Sequence, residues 1–369
     1  MSDGFDSQRV GNLEIWQQVN ALEKLDAESV RYSLGLLRAN LKSLLPDFGK
    51  IWNQFAATKT ELKIATTDCS WKIGFPEGVQ RLHSFLLNDE IAVIGIDQDA
   101  EQLINLALAE LGDLNPQLKL EVKAQKALTD YLERRLLACA ARVWNQHWAK
   151  DGAAEVAISY VAPGKNQSAE IIITAESSIQ YQGQANRSGK LYCGFGPKAA
   201  SIIDSAWRAK ISAERPIQIQ ARDLHVVSFE IGSFNLSPSE LLDYLRPGAI
   251  IPIGTLRLPR VDICVDGVCQ AQAELVSFNG KFAARVTEII NAPVETTPVT
   301  EGRSLLRVEL ARVLLEPTAI YEFFQSGAII PTQVSLAPTA LIFMSGERVA
   351  SGSIGKTSDG KLAISILPK

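Results

Sequence analysis

The chain has 369 residues, of which 46% are hydrophobic and 21% charged, a globular composition long enough for two or three domains with cores of their own. Its net charge of −4, with no basic stripe, argues against nucleic-acid binding. No uninterrupted apolar run approaches the ~20 residues needed to span a bilayer. The start, Met1-Ser2-Asp3-Gly4-Phe5-Asp6, has neither a basic n-region nor an apolar h-region, so no secretory signal is expected. Five scattered cysteines fit a reducing compartment better than a disulfide framework.

The first sixty residues are predicted to be helical. Leu13, Trp16, Val19 and Leu22 or Glu23 follow a three-to-four spacing, and Val30, Leu34, Leu37, Leu41 and Leu44 continue it until Pro46 and Gly49 interrupt. From Leu62 the pattern turns to strands: Leu62-Lys63-Ile64, Ser70–Gly74 and Asp89–Gly95. A helix is expected over Gln98–Leu111, closed by Gly112, and a long one over Lys123–Trp148. Strands at Glu155–Tyr160, Glu170–Thr174 and Lys190–Gly194 follow, and Pro197 opens a helix over Lys198–Ala209. Residues 1–210 therefore read as one mixed α/β domain.

After Pro216 the texture changes, and the chain repeats itself. Gly248-Ala249-Ile250-Ile251-Pro252 recurs letter for letter as Gly327-Ala328-Ile329-Ile330-Pro331, a shift of 79 residues. The same shift carries Glu230 onto Glu309, Pro238 onto Pro317, Ile263 onto Ile342 and Gly267 onto Gly346. A shift of 80 carries Asn279–Ala283 onto Asp359–Ala363. The repeat spans Val227–Val286 and Leu306–Ile366. The first copy reads as a strand (Ile217–Ile231), a helix (Ser237–Leu245) and a run of strands to Ile289. Ser237-Pro238-Ser239-Glu240 supplies an N-cap, a proline at the first position and a capping-box glutamate. Asn291–Gly302, with Pro293, Pro298 and three threonines, reads as a linker.

Gly248 and Gly327 stand where the exit from a helix needs a positive φ, and the two isoleucines after each suit a buried strand. Pro252 and Pro331 lack an N–H and belong at a sheet edge or a bulge. Cys264–Cys269 reads as a hairpin with an Asp-Gly turn. A unit this small holds too many apolar residues for its own interior, so each copy is expected to bury surface against another copy. Ile250, Ile251, Ile253, Ile263, Val265, Ile329, Ile330, Val334, Ile342 and Phe343 are the candidate pairing residues, with plain core as the alternative for about half of them.

Leu245-Arg246-Pro247-Gly248-Ala249-Ile250-Ile251, with Val261–Gly267 and Phe278–Val286, resembles the "surface presentation of antigens" (SPOA) module of flagellar motor-switch proteins and of the cytoplasmic ring protein of type III secretion injectisomes. The family's Leu-x-Pro-Gly-Asp-Val-Ile has Ala249 and Ala328 here in place of its Asp, and Gln325-Ser326 stands for x-Pro in the second copy. Two such modules behind an α/β domain is the layout of the injectisome ring protein. The resemblance implies an α+β chain: an N-terminal domain (1–210), a first module (213–290), a linker (291–303) and a second module (304–369) that pairs with the first. It implies a non-enzymatic, cytoplasmic scaffold peripheral to the inner-membrane secretion apparatus. Its expected partners are the stator protein of the secretion ATPase, the membrane-proximal adaptor, effector–chaperone complexes and further copies of itself through the modules. In relatives the last module can homodimerise and is sometimes made separately. Met344 lies inside the second repeat, so an AUG start there gives only a fragment. The alternative is a flagellar motor-switch-type protein with a phosphatase-like N-terminal domain.

No cofactor, metal or small-molecule substrate is expected. Ala350–Thr357 satisfies the loose phosphate-loop pattern, but a strand follows instead of the helix that the mechanism needs. Gly194-Phe195-Gly196 lacks the third glycine of a dinucleotide fingerprint. Cys264 and Cys269 face each other across a hairpin without a second ligand pair, and His83, His147 and His225 form no local signature. Trp144, His147 and Trp148 read as helix packing or a docking patch. Phosphatase chemistry needs a Glu and an Asn on one helix face, for which Glu101 and Asn105 are the candidates, and they read equally well as a solvated face.

Overall fold

The computed structural model describes residues 13–38, 64–79, 81–103, 158–160, 170–181, 188–212, 217–254, 258–294 and 302–368, with isolated positions between 123 and 145. It is α+β and divides into two compact units, one of residues 35–211 and the other of residues 212–369 joined by the N-terminal segment up to Leu34.

The unit of residues 35–211 is built on a six-stranded sheet. Its strands are β3 (Ile64–Ile73), β4 (Arg81–Leu87), β5 (Glu90–Ile96), β6 (Ile158–Tyr160), β7 (Ile173–Tyr181) and β8 (Ser188–Phe195), in the order β3-β7-β8-β5-β4-β6. Every neighbouring pair is antiparallel. The two short strands expected at 62–64 and 70–74 are one ten-residue strand, kept continuous by a bulge between Thr67 and Cys69 where Asp68 takes a φ of 40°. The β4–β5 hairpin turns on Asn88 and Asp89, both at positive φ, a turn without glycine that sequence reasoning passed over. Asp97 then opens the helix that begins at 98: its carboxylate accepts from Ala100 N–H at 2.7 Å and from Lys190 N–H at 3.0 Å, tying the helix to β8. Pro197 starts α2 (Pro197–Ser212), which buries Ala199, Ala200, Ile203, Ala206 and Trp207. The described positions between 123 and 145 are helical, as expected, while Leu41, Leu44, Pro46, Gly49, Trp144, His147 and Trp148 lie outside the described residues.

In the second unit the sequence repeat becomes a repeat of elements. The first module holds β9 (His225–Leu236), α3 (Pro238–Tyr244), β10 (Ile250–Gly254), β11 (Arg260–Val265), β12 (Val268–Phe278) and β13 (Lys281–Val294). The second holds β14 (Ser304–Leu315), α4 (Pro317–Phe323), β15 (Ile329–Ser335), β16 (Thr339–Met344), β17 (Glu347–Lys356) and β18 (Leu362–Ile366). Helix α3 starts as its sequence requires: Ser237 Oγ accepts from Glu240 N–H, and the Glu240 carboxylate accepts from Ser237 N–H at 2.7 Å. The positive φ of Gly248 (81°) and Gly327 (85°) falls a few residues past the helix ends, in the turns that aim β10 and β15.

The ten module strands run β10-β18-β17-β16-β14-β9-β11-β12-β13-β15. Exchanging each strand for its counterpart in the other module reverses this order onto itself, so the modules are related by a pseudo-twofold axis between β9 and β14. One apolar core includes residues of both, from Phe229, Ile251, Ile263 and Phe282 to Leu306, Ile330, Ile342 and Ile364.

The helix predicted for the first sixty residues is corrected where the chain is described. Residues 13–34 are β1 (Glu14–Ile15), a 3-10 turn at Gln17–Ala21, β2 (Lys24–Leu25) and the short helix α1 (Ala27–Tyr32). The boundary of the N-terminal domain shifts with it, because this segment belongs to the module unit and not to the α/β unit. Trp16, Val19 and Leu22, three residues apart, are buried in the module core. A three-residue spacing matches a 3-10 turn as well as a helix, and burial against another element decided between them. The strap crosses the pseudo-axis. β1 runs antiparallel to β17, pairing Glu14 with Lys356, whereas β2 runs parallel to β12, pairing Lys24 with Ser277. Ser277 and Lys356 are the same position of the two modules. A single strand crossing a twofold axis must meet the two equivalent strands with opposite polarity, which accounts for one parallel and one antiparallel pairing. Trp16 N–H donates to Ile354 O at 2.9 Å, Ser277 N–H to Glu23 O at 2.8 Å, and Arg285 binds the Glu23 carboxylate through both terminal nitrogens.

Because the Trp16 indole is 2% exposed within the module core, Trp16→Ala should cost about 3–5 kcal/mol. Urea unfolding read by hydrogen exchange should place that loss in residues 225–366, with strands β3 to β8 unchanged; an equal loss in both units would contradict the assignment of the strap.

Candidate functional site: the seam between the two modules

The repeated Gly-Ala-Ile-Ile-Pro runs form the exchanged strands. β10 of the first module pairs with β18 of the second, with Ile250 opposite Ser365 and Ile251 opposite Ile364. β15 of the second pairs with β13 of the first, with Ile329 opposite Arg285 and Ile330 opposite Ala284. Short turns lock both joints: Gly248 N–H donates to Ile366 O (2.9 Å) and Ile366 N–H to Ala249 O (2.9 Å), matched by Gly327 N–H to Val286 O (2.7 Å) and Val286 N–H to Ala328 O (2.8 Å). Pro252 and Pro331 lie on the two terminal strands of this path, beside breaks in the ladder at Pro252/Gly254 and Lys281/Ala283.

The ten candidate pairing residues fall into two groups. Ile250, Ile251, Ile253, Ile329, Ile330 and Val334 lie on the exchanged strands, with Ile251, Ile329 and Ile330 buried and the others half-buried. Ile263 and Val265 on β11, with Ile342 and Phe343 on β16, flank the central β9–β14 pair and are buried beside it. None of the ten is an exposed surface residue.

At the centre of the seam lies a polar cluster that the apolar pattern did not reveal. Glu230 on β9 and Glu309 on β14, equivalent in the repeat, are opposite each other across the ladder, with irregular register on either side. Their side chains are 6% and 1% exposed. Arg307 donates to Glu230 Oε1 at 2.6 Å and to Gly267 O at 2.6 Å, and Ser228 Oγ donates to the same carboxylate at 2.9 Å. Arg312 grips Glu309 through Nε (2.9 Å) and Nη2 (2.7 Å), reaches Gly346 O at 3.3 Å, and lies 3.5 Å above the Phe343 ring centroid. Gly267, at a φ of 85°, leaves room for Arg307, since a Cβ there would sit 2.8 Å from its Nη2. Burial raises the Glu309 carboxyl above its ordinary range, and the hydrogen bonds from Arg312 only partly offset this. The sequence signal was the recurrence of Glu230 as Glu309 under the 79-residue shift.

The remaining sequence candidates take structural places. Cys264 and Cys269 are cross-strand partners, both free thiols, with Asp266 and Gly267 between them at φ 47° and 85°. His225, fully buried, shares a 2.7 Å hydrogen bond with Asp266, whose carboxyl is held low because the bonds from His225 and Val226 N–H outweigh burial. The stretch resembling a phosphate loop is strand β17, where a Cβ on Gly352 would fall 2.2 Å from the Ile364 side chain. Glu101 is helical and Asn105 lies outside the described residues. Among the described residues no group of three or more His, Cys, Asp or Glu could hold a metal ion.

Residues 225–291 match the family "Type III flagellar switch regulator (C-ring) FliN C-term". The first module is therefore of this type by sequence, and the second repeats its elements. No curated protein sequence matches the chain. Solved structures that match part of the chain include a chain of the FliM–SpeE complex from H. pylori, 13% identical, covering 49% of this chain and 97% of that one, with a TM-score of 0.31. A chain of the H. pylori FliG–FliM complex is 13% identical, with coverage of 50% and 100% and a TM-score of 0.30. Thermotoga maritima FliY is 11% identical, with coverage of 50% and 98% and a TM-score of 0.31.

Two outcomes are expected of seam variants. Ile330→Asp places a carboxylate at a fully buried position on an exchanged strand and should destabilise the module unit by about 3 kcal/mol or more; a chain with unchanged urea midpoint would show that the joint does not matter. Glu309→Gln tests the raised carboxyl. A raised folded value contributes stability that is full below the ordinary value near 4.5 and is lost as pH rises through the raised one. The stability of the parent relative to the Gln variant should therefore fall as pH rises above the ordinary value near 4.5, and a rise would refute the shift.

Proposed function

We propose that this chain is a structural subunit of the cytoplasmic ring, or sorting platform, of a type III secretion system. The carrying observation is that two modules, the first of switch-regulator type, are closed onto each other within one chain by exchanged strands. Such a unit offers rigid strand and helix surfaces for assembly, and it works through interfaces without a catalytic step. In this reading the module pair meets the stator of the secretion ATPase, the unit of residues 35–211 meets a membrane-side adaptor, and effector–chaperone complexes are received at the assembled platform. The protein is then cytoplasmic and peripheral to the inner membrane; no helix among the described residues is long and apolar enough to cross one. A second reading, a subunit of a flagellar switch, is favoured by the description of the family that matches residues 225–291.

Affinity capture of the tagged full chain from its native host, with mass spectrometry, separates the two. Recovery of an export-ATPase stator together with a membrane-side adaptor is expected. Recovery of flagellar switch subunits in their place would favour the second reading, and recovery of neither would overturn both. The full chain is required, because the strap of residues 13–34 completes the module core.

A further inference from the structure

The cluster at the pseudo-axis breaks the symmetry that the rest of the seam obeys. Each module supplies one glutamate from the equivalent position, yet both arginines come from β14 of the second module. The shift of 79 residues that relates the modules carries Ser228 onto Arg307 and Ser233 onto Arg312. Across the ladder Arg312 is opposite Ser228, and Arg307 is opposite Ser233. Every arginine therefore faces a serine. Arg312 also performs for Glu309 and Gly346 what Arg307 performs for Glu230 and Gly267: each guanidinium binds the buried carboxylate and the carbonyl of the equivalent turn glycine.

The alternatives follow from the same register. Two first modules paired about this axis would bury two Glu230 carboxylates with serines only and no guanidinium. Two second modules would bring four guanidiniums to two carboxylates, and Arg312 would face Arg307 of the other copy at both equivalent places. Only a first module against a second is balanced. Like charges placed directly opposite, and buried charges left unpaired, both disfavour a wrong strand partner. We infer that Arg307 and Arg312, set against Glu230, Glu309, Ser228 and Ser233, are the specificity code of the seam: they direct each first module to a second module and exclude first–first and second–second pairs. The repeated Gly-Ala-Ile-Ile-Pro runs are identical in the two copies and so do not themselves distinguish the modules.

The test keeps the full chain and removes the tether that would otherwise favour pairing within one molecule. A protease site is introduced between Glu295 and Thr300, the folded chain is cut, and the two pieces are cycled through partial urea. Native mass spectrometry then counts them. The parent should re-form only one-to-one assemblies of the N-terminal and C-terminal pieces. In Ser228→Arg with Arg312→Ser the two modules carry the same arginine and glutamate arrangement, so all pairings become balanced, and about half of the assemblies should be like-with-like. If that variant does not fold, Ser228→Arg alone makes the first module self-complementary, and pairs of the N-terminal piece should appear while pairs of the C-terminal piece do not. Like pairs formed by the parent, or one-to-one assemblies alone from the folded double variant or from the fallback, would overturn the inference.

Discussion

The module unit depends on one exchange. Each module gives up a strand, β10 or β15, and receives the other's in return, so neither sheet half is complete without its counterpart. A unit of this length buries too small a fraction of its surface to be strongly stable by itself. Shared across the axis, the apolar side chains of both copies become one core. The exchanged strand is also the segment that repeats letter for letter, because the two joints are geometrically equivalent and ask the same of each residue: a glycine to turn at positive φ, isoleucines to fill the core, and a proline to close the outer edge.

Departures from the symmetry carry the remaining information. The strap of residues 13–34 exists once and must cross an axis that relates two strands, so it pairs parallel with one and antiparallel with the other. Arg307 and Arg312 come from one module and serve both. An internally duplicated unit could in principle pair with any copy of itself. In the seam, buried charge supplies choice, because an unpaired carboxylate there has no water to turn to. Glu309 illustrates the tension: burial raises its carboxyl while Arg312, bound through two nitrogens and lying over Phe343, opposes the shift.

The unit of residues 35–211 is organised differently. Its sheet is wholly antiparallel, and polar side chains join segments distant in the chain: Asp97 ties the helix start to β8, and Glu176 holds both Lys72 and Lys190.

The amino-acid sequence by itself determined the repeat, its turns, its capping box and the need of each copy for a partner, since these rest on spacing, glycine and proline geometry, and the ratio of apolar residues to chain length. Pattern alone made Ile251 and Ile330 candidates, but it did not separate residues on strands that cross to the other module from those, such as Ile263 and Ile342, on strands beside the axis. Tertiary structure alone decided which strand is exchanged, that Trp16, Val19 and Leu22 turn in 3-10 fashion over the module pair instead of continuing a helix, and that Arg307 and Arg312 meet Glu230 and Glu309. Each of these joins residues far apart in the chain, from the strap to β17 or from β9 to β14. Local propensity carries no record of which distant surface a side chain will bury against, and the burial free energy that settles the matter exists only once the two surfaces have met.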